Sequence, residues 1–299
     1  MLTRRALAAA ALAAIFAVAP ARAQQRLDVI ATFSILGDFV KNVGGDRVAV
    51  ESLVGPNGNA HVYAPSPGDA KKVADAKVVF VNGLGFEGWL ERLVKASGTK
   101  APIVVATTGI KPRERAGDHG NDHGRADPHA WQSVANAQIY VANIRDALIA
   151  ADPAGKDAYH ANAAAYLAKL DALEREVRDV VAKIPADRRH VITSHNAFGY
   201  FQDAYGISFT APQGVSTEAE ASAKDVAAII SQIKKQKAAA VFLENVTDPR
   251  LVQQIARETG AKVGGTLYSD ALTDDKGDAP TYIDLIRHNL RQLAAALVS

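Results

Sequence analysis

The sequence has no cysteine, and its single methionine is the first residue. The missing cysteines exclude disulfides, thiolate metal ligation and cysteine-held iron–sulfur clusters. They also exclude lipidation at a cysteine, so no lipid anchor is expected. With Met1 the only thioether, soft metals such as Cu(I) have no suitable donors. Any metal bound here must be held by nitrogen and oxygen. A strong charge of either sign is missing too, the formal net charge being only +2.

Even that small excess sits at the N-terminus. MLTRR supplies a positive start, ALAAAALAAIFAVA an apolar run, and ARA before Gln24 a small-residue cleavage pattern. This combination reads as a secretory signal peptide over residues 1–23, cleaved after about Ala23. The run falls short of the ~20 residues that a membrane helix needs. Arg4-Arg5 is compatible with twin-arginine export, but general secretion is the simpler reading. Loss of Arg4, Arg5 and Arg22 leaves 31 basic against 32 acidic residues, a net charge of −1 over 276 residues. Nothing in that balance calls for nucleic acid or an anionic membrane surface. An exported protein without an anchor is retained only by a second membrane, so the expected location is the periplasm.

The remaining chain alternates strand and helix patterns. LDVIATF (27–33), RVAVESLV (47–54), KVVFVN (77–82) and APIVVAT (101–107) read as strands, with helices after the first and third. Ser66-Pro67-Gly68-Asp69 is a helix start, with Ser at the N-cap, Pro first and Asp third. From Asp152-Pro153 to about Lys183 the chain is one long helical pattern ended by Pro185. The strand–helix pattern then restarts with HVITS (190–194), ISF (207–209), AAVFLEN (239–245) and AKVGGTLY (261–268). The expected fold is α/β: two Rossmann-like lobes with mostly parallel sheets, joined by one long rigid helix. The expected divisions are an N-terminal lobe over 24–151, the connecting helix over 152–185 and a C-terminal lobe over 186–299.

Four residues stand out: His61, His129, His195 and Asp270, separated by 68, 66 and 75 residues. Each lies in a turn-rich junction, and strand C-termini in open α/β sheets are where ligands bind. Three imidazoles and a carboxylate can close the shell of a borderline transition metal. A cleft between the two lobes would collect all four. By contrast, His160, His190 and His288 read as ordinary surface or core residues. Glu244, Asn245 and Glu218 are candidates to orient the imidazoles. Asp127 competes as a turn residue before Pro128, and Tyr63, Trp89 and Trp131 read as packing. A tandem DHG at 118–120 and 122–124 places His119 and His123 in a polar loop, a possible auxiliary metal-capture arm.

The stretches HVYAPSPGD (61–69), NGLGFEGWLE (82–91), DPHAW (127–131), SHNAFGYF (194–201), GVSTEAE (214–220), FLENVTDPR (242–250) and LYSDAL (267–272) occur in this order. Together they resemble the metal-specific solute-binding proteins of ABC importers, the cluster A-I (ZnuA-like/TroA-like) family, over the whole chain after the signal. One departure is Ala221, where members often carry Pro. The resemblance implies a two-lobed fold with metal ligands at His61, His129, His195 and Asp270. It implies capture of Zn²⁺, with Mn²⁺ as the alternative, by a monomer. The cargo would pass to an inner-membrane ABC permease with its cytoplasmic ATPase. Nitrogen at the third ligand position favours zinc, because oxygen-rich shells suit manganese. Two other classes remain: a zinc hydrolase with a His₃–water site, should Asp270 not bind, and an adhesin.

Overall fold

The computed structural model describes residues 26–114, 126–236 and 238–298. The first half opens with β1 (Leu27–Phe33), α1 (Ser34–Gly44) and β2 (Val48–Val54). It continues with α2 (Pro67–Asp75), β3 (Val78–Val81), α3 (Leu90–Ser97) and β4 (Ile103–Val105). All four strands run parallel in the order β2-β1-β3-β4. β3 is buried along its whole length, as its apolar VVFV run requires of a central parallel strand. The start of α2 is a capping box: Ser66 Oγ accepts from the Asp69 N–H, and the Asp69 carboxylate accepts from the Ser66 N–H.

Two short strands, β5 (Arg113–Glu114) and β6 (Ala126–Asp127), pair antiparallel where the sequence reads as an unbroken polar loop. Two-residue strands are too short for a periodic signal, so the ribbon was invisible to pattern reading. The signal region 1–23 and the repeat histidines His119 and His123 lie outside the described residues.

α4 (Val134–Ala151) leads to α5 (Lys156–Ala182), the long helix, which is 27 residues and about 40 Å long. It starts later than its sequence pattern because Pro153–Gly155 form a 3₁₀ turn. A Cβ at Gly155 would meet Arg47, Tyr159 and the Asp152 carboxylate, the last an ion-pair partner of Arg47.

The second half contains β7 (His190–Ile192), α6 (Gly199–Tyr205), β8 (Ser208–Thr210) and α7 (Ala223–Gln236). It ends with β9 (Ala240–Glu244), α8 (Pro249–Thr259), β10 (Val263–Leu267) and α9 (Tyr282–Leu297). Its four parallel strands have the order β10-β9-β7-β8.

α5 packs on both halves. Its Asn162 donates to the Val43 carbonyl and Tyr166 to Asp38 on α1, while Glu174 accepts from Tyr205 on α6. α9 is a second bridge, with Tyr282 packed edge-on against Phe39 and its far side against β10. One apolar core therefore runs continuously from β1 and α1 through α5 to α9, and a smaller one lies between α7, α8 and β9. The two sheets turn their strand C-termini toward a common seam.

Candidate metal centre

Four loops reach the seam. After β2 the chain turns through Gly55–Asn59 and presents His61, whose N–H donates to Asn59 Oδ1. Trp89 pins this loop by donating its indole N–H to the Ala60 carbonyl at 2.8 Å. After β6, Asp127 Oδ1 accepts from the His129 N–H, making a tight Asx turn through Pro128. His195 lies three residues past the end of β7. Its own N–H and that of Ser194 both donate to Glu244 Oε1 at the end of β9. Asp270 follows β10, and its backbone is fixed because Trp131 Nε1 and Gln132 Nε2 both donate to the Ser269 carbonyl.

The four side chains meet. One donor atom from each lies within 4.8 Å of all the others. His61 Nε2 is 3.3 Å from His129 Nε2 and 3.4 Å from Asp270 Oδ2. His195 Nε2 is 3.1 Å from Asp270 Oδ2, and His129 Nε2 is 3.5 Å from Asp270 Oδ1. A tetrahedral ion with bonds of about 2.0–2.1 Å has ligand–ligand edges of about 3.3 Å. With Oδ2 as the Asp270 donor, three of these contacts, at 3.3, 3.4 and 3.1 Å, are close to that length. Asp270 Oδ1 is buried and accepts no hydrogen bond, an orphan acceptor that a cation would satisfy. His129, His195 and Asp270 are wholly buried, and only an edge of His61 reaches solvent at 4% exposure. That edge faces a cavity of about 330 Å³ walled by Tyr63, Trp89, Arg92 and Glu218.

Two imidazoles are oriented from behind. Asp127 Oδ1 lies 2.8 Å from His129 Nδ1, and Glu244 Oε2 lies 2.6 Å from His195 Nδ1. Asp127 thereby holds Nδ1 of His129 and leaves Nε2 for the centre, while Glu244 stands beside His195 Nδ1 as an ion-pair partner. Phe86 packs edge-on to His61 and Trp131 edge-on to His129, which keeps water out.

Burial sets the electrostatics. The His61 ring is pushed below its ordinary pKa by desolvation, and so is held as the neutral ligand form. Burial also opposes a charge on His195, but the carboxylates of Glu244 and Asp270 outweigh it and hold the ring well above the usual range. Burial alone would raise Asp270, yet the neighbouring imidazoles, His195 foremost, outweigh it and hold the carboxylate far below its usual range. Without a metal the centre is therefore an imidazolium–carboxylate cluster, and a metal must displace the His195 proton.

All four residues singled out in the sequence are thus brought together. Of the candidate supports, Glu244 orients His195. Asn245 instead donates to the Ala271 carbonyl and to Asn57, and Glu218 is exposed at the cavity mouth. Asp127 proves to be more than a turn former. The D-x-H spacing was the available signal, since one carboxylate two residues before a histidine can reach both its N–H and its Nδ1. Trp89 and Trp131 do pack, and their indole N–H groups additionally hold the residues preceding His61 and Asp270. His190 and His288 have local hydrogen-bond partners in the Thr210 hydroxyl and the Thr266 carbonyl, away from the centre.

Two parallel-sheet halves bridged by long helices, with a buried His₃Asp set between them, define a non-enzymatic metal-binding protein of the solute-capturing kind. Residues 29–296 match the sequence profile of the periplasmic component A of the zinc-uptake complex, and the chain belongs to that family. The iron-binding protein YfeA of Yersinia pestis is 37% identical over 276 residues, 92% of this chain and 88% of that one. The manganese-binding lipoprotein MntA of Halalkalibacterium halodurans is 35% identical, covering 91% and 88%. The solved periplasmic zinc-binding protein TroA from Treponema pallidum superposes with a TM-score of 0.86 at 29% identity, covering 92% of this chain and all of that one. The chain is accordingly the substrate-binding protein of an ABC metal importer, and a hydrolase reading falls away.

Proposed function

We propose that the chain captures Zn²⁺ outside the inner membrane, using His61, His129, His195 and Asp270 as its four ligands. It then surrenders the ion to an ABC permease driven by a cytoplasmic ATPase. Residues 1–23 direct export in this reading. The carrying observation is the convergence of three imidazole Nε2 atoms on one buried carboxylate, at separations suited to a tetrahedral ion. A site closed by four protein side chains suits carriage, because no coordination position is left for a reactive water.

Manganese is the second reading, and one observation favours it. Both oxygens of Asp270 face imidazoles, Oδ2 toward His61 and His195 and Oδ1 toward His129. A bidentate carboxylate with three nitrogens makes a five-donor shell, which suits a larger ion. The relatives bind iron, manganese and zinc by their descriptions, so kinship does not choose among them. Competition between Zn²⁺ and Mn²⁺ for the demetallated protein tests the choice. Zinc is expected to win clearly, as a nitrogen-rich shell and the Irving–Williams order both favour it. Equal or tighter Mn²⁺ binding overturns the zinc assignment.

A further inference from the structure

We infer that Arg113 is a positioning residue for this metal site: with Tyr200 and the space left by Gly199, it holds Asp127 where that carboxylate can orient His129. The inference rests on the reading that His129 is a ligand. It concerns a residue one partner removed from His129, paired with Asp127 in the two-strand ribbon that leads to the centre.

Asp127 is wholly buried and serves two partners with its two oxygens. Oδ1 accepts from the His129 backbone N–H and lies 2.8 Å from His129 Nδ1. Oδ2 faces the Arg113 guanidinium, with Nη1 donating at 3.4 Å. The same guanidinium donates from Nε to Asp203 Oδ2 at 2.9 Å on α6. A second path runs through the backbone. The Arg113 N–H donates to the Tyr200 hydroxyl at 2.9 Å, and that hydroxyl donates to the Asp127 carbonyl at 3.1 Å. Side chain and main chain of Arg113 thus both tie β5 and β6 to α6, across the two halves.

Gly199 supplies independent support. A Cβ there would sit 2.5 Å from both Arg113 Nη1 and Asp127 Oδ2. Its backbone has no left-handed φ, so the missing side chain serves to leave room rather than to relieve strain. The first residue of α6 is therefore shaped around the Arg113–Asp127 pair. Without Arg113, Oδ2 would be a buried carboxylate oxygen lacking a partner, and the carboxylate would rotate to regain one. That rotation takes Oδ1 away from His129 Nδ1 and frees the imidazole to turn.

Co²⁺ binding to the demetallated full chain tests this, since its visible absorption reports ligand geometry as well as occupancy. Arg113→Met and Gly199→Ala are each expected to weaken Co²⁺ about 10–100-fold, the usual effect of losing a partner behind a ligand. Both should also change the visible spectrum, while the metal-free protein, though less stable, remains folded by circular dichroism at the temperature of the titration. Arg113→Lys should recover part of the affinity. Parental affinity and spectrum in both Arg113→Met and Gly199→Ala overturn the role. So does a loss of affinity that tracks a loss of folding, leaves the spectrum unchanged and is not rescued by Lys. A parent chain that fails to bind Co²⁺ instead overturns the ligand assignment itself, and this inference with it.

Discussion

His129 shows how much one side chain carries. It touches His61 and Asp270 on one side and Asp127 on the other, and it is fully buried. His129→Ala is expected to reduce zinc affinity by more than the 10–100-fold typical of an outer partner, with the metal-free protein still folded. Titration calorimetry together with circular dichroism checks both halves of that statement. His195 sets the pH response. Its folded pKa is raised, so the imidazolium stabilises the metal-free fold fully below its unfolded pKa of about 6.5. That contribution is lost as pH rises through the raised folded value. Zinc must displace the same proton, so metal affinity moves the opposite way and falls on acidification. Melting curves between pH 6 and 9 should show the metal-free protein gaining stability toward acid while the increment from zinc shrinks. A zinc increment independent of pH would contradict the proton displacement.

Among the elements, α1, α5 and α9 meet at a buried acid. Asp38 accepts from the Tyr282 N–H of α9 at 3.0 Å and from the Tyr166 hydroxyl of α5 at 3.3 Å. Burial nevertheless dominates and lifts its pKa from the ordinary 3.8 to about 6. At 1.36 kcal/mol per pH unit this is a charging penalty of roughly 3 kcal/mol. Because the folded value is raised, the fold is favoured below pH 3.8, and this advantage is lost as pH rises through about 6. Asp38→Asn keeps an acceptor and removes the charge. Its urea-unfolding free energy is expected to lack the part of the parent's pH dependence that Asp38 contributes between about pH 4 and 6. An unchanged pH profile in the variant would count against it. Much at this scale was readable beforehand. The capping box at Ser66 and Asp69 and the long helix follow local rules. The β5–β6 ribbon and the bridging role of α9 do not, since both depend on partners distant in sequence.

For the whole molecule, the decisive contacts cross the seam. Asn59 donates from Nδ2 to Thr217 Oγ1 at 2.9 Å and to the Val246 carbonyl at 3.0 Å, while its Oδ1 accepts from the His61 N–H. Nearby, the Asn57 N–H donates to the Leu272 carbonyl at 2.7 Å. The loop bearing His61 is thus clasped to the second half beside the one ligand edge that reaches solvent. Asn59→Ala is expected to speed zinc release about 2–10-fold for each seam bond lost, at 0.5–1.5 kcal/mol per bond. Stopped-flow chase with a chelator measures this, and an unchanged release rate would show that the clasp plays no part in opening. The continuous core through α5 and α9 is expected to keep any such opening local to the seam loops.

By itself the sequence determined the chemistry: a sulfur-free donor set, the four residues that converge at the seam, the alternation that makes two parallel sheets, and the family. These follow from residue type and short-range pattern, which need no knowledge of what lies across the molecule. Only the tertiary structure decided which groups stand behind the ligands. Glu244 was legible as one candidate among three and Asp127 as a turn residue before Pro128, while Arg113, Gly199 and Asn59 carried no signal at all. Their roles depend on distances between elements 14 to 187 residues apart in the chain. Such distances are set by how the core packs, and no local period encodes them.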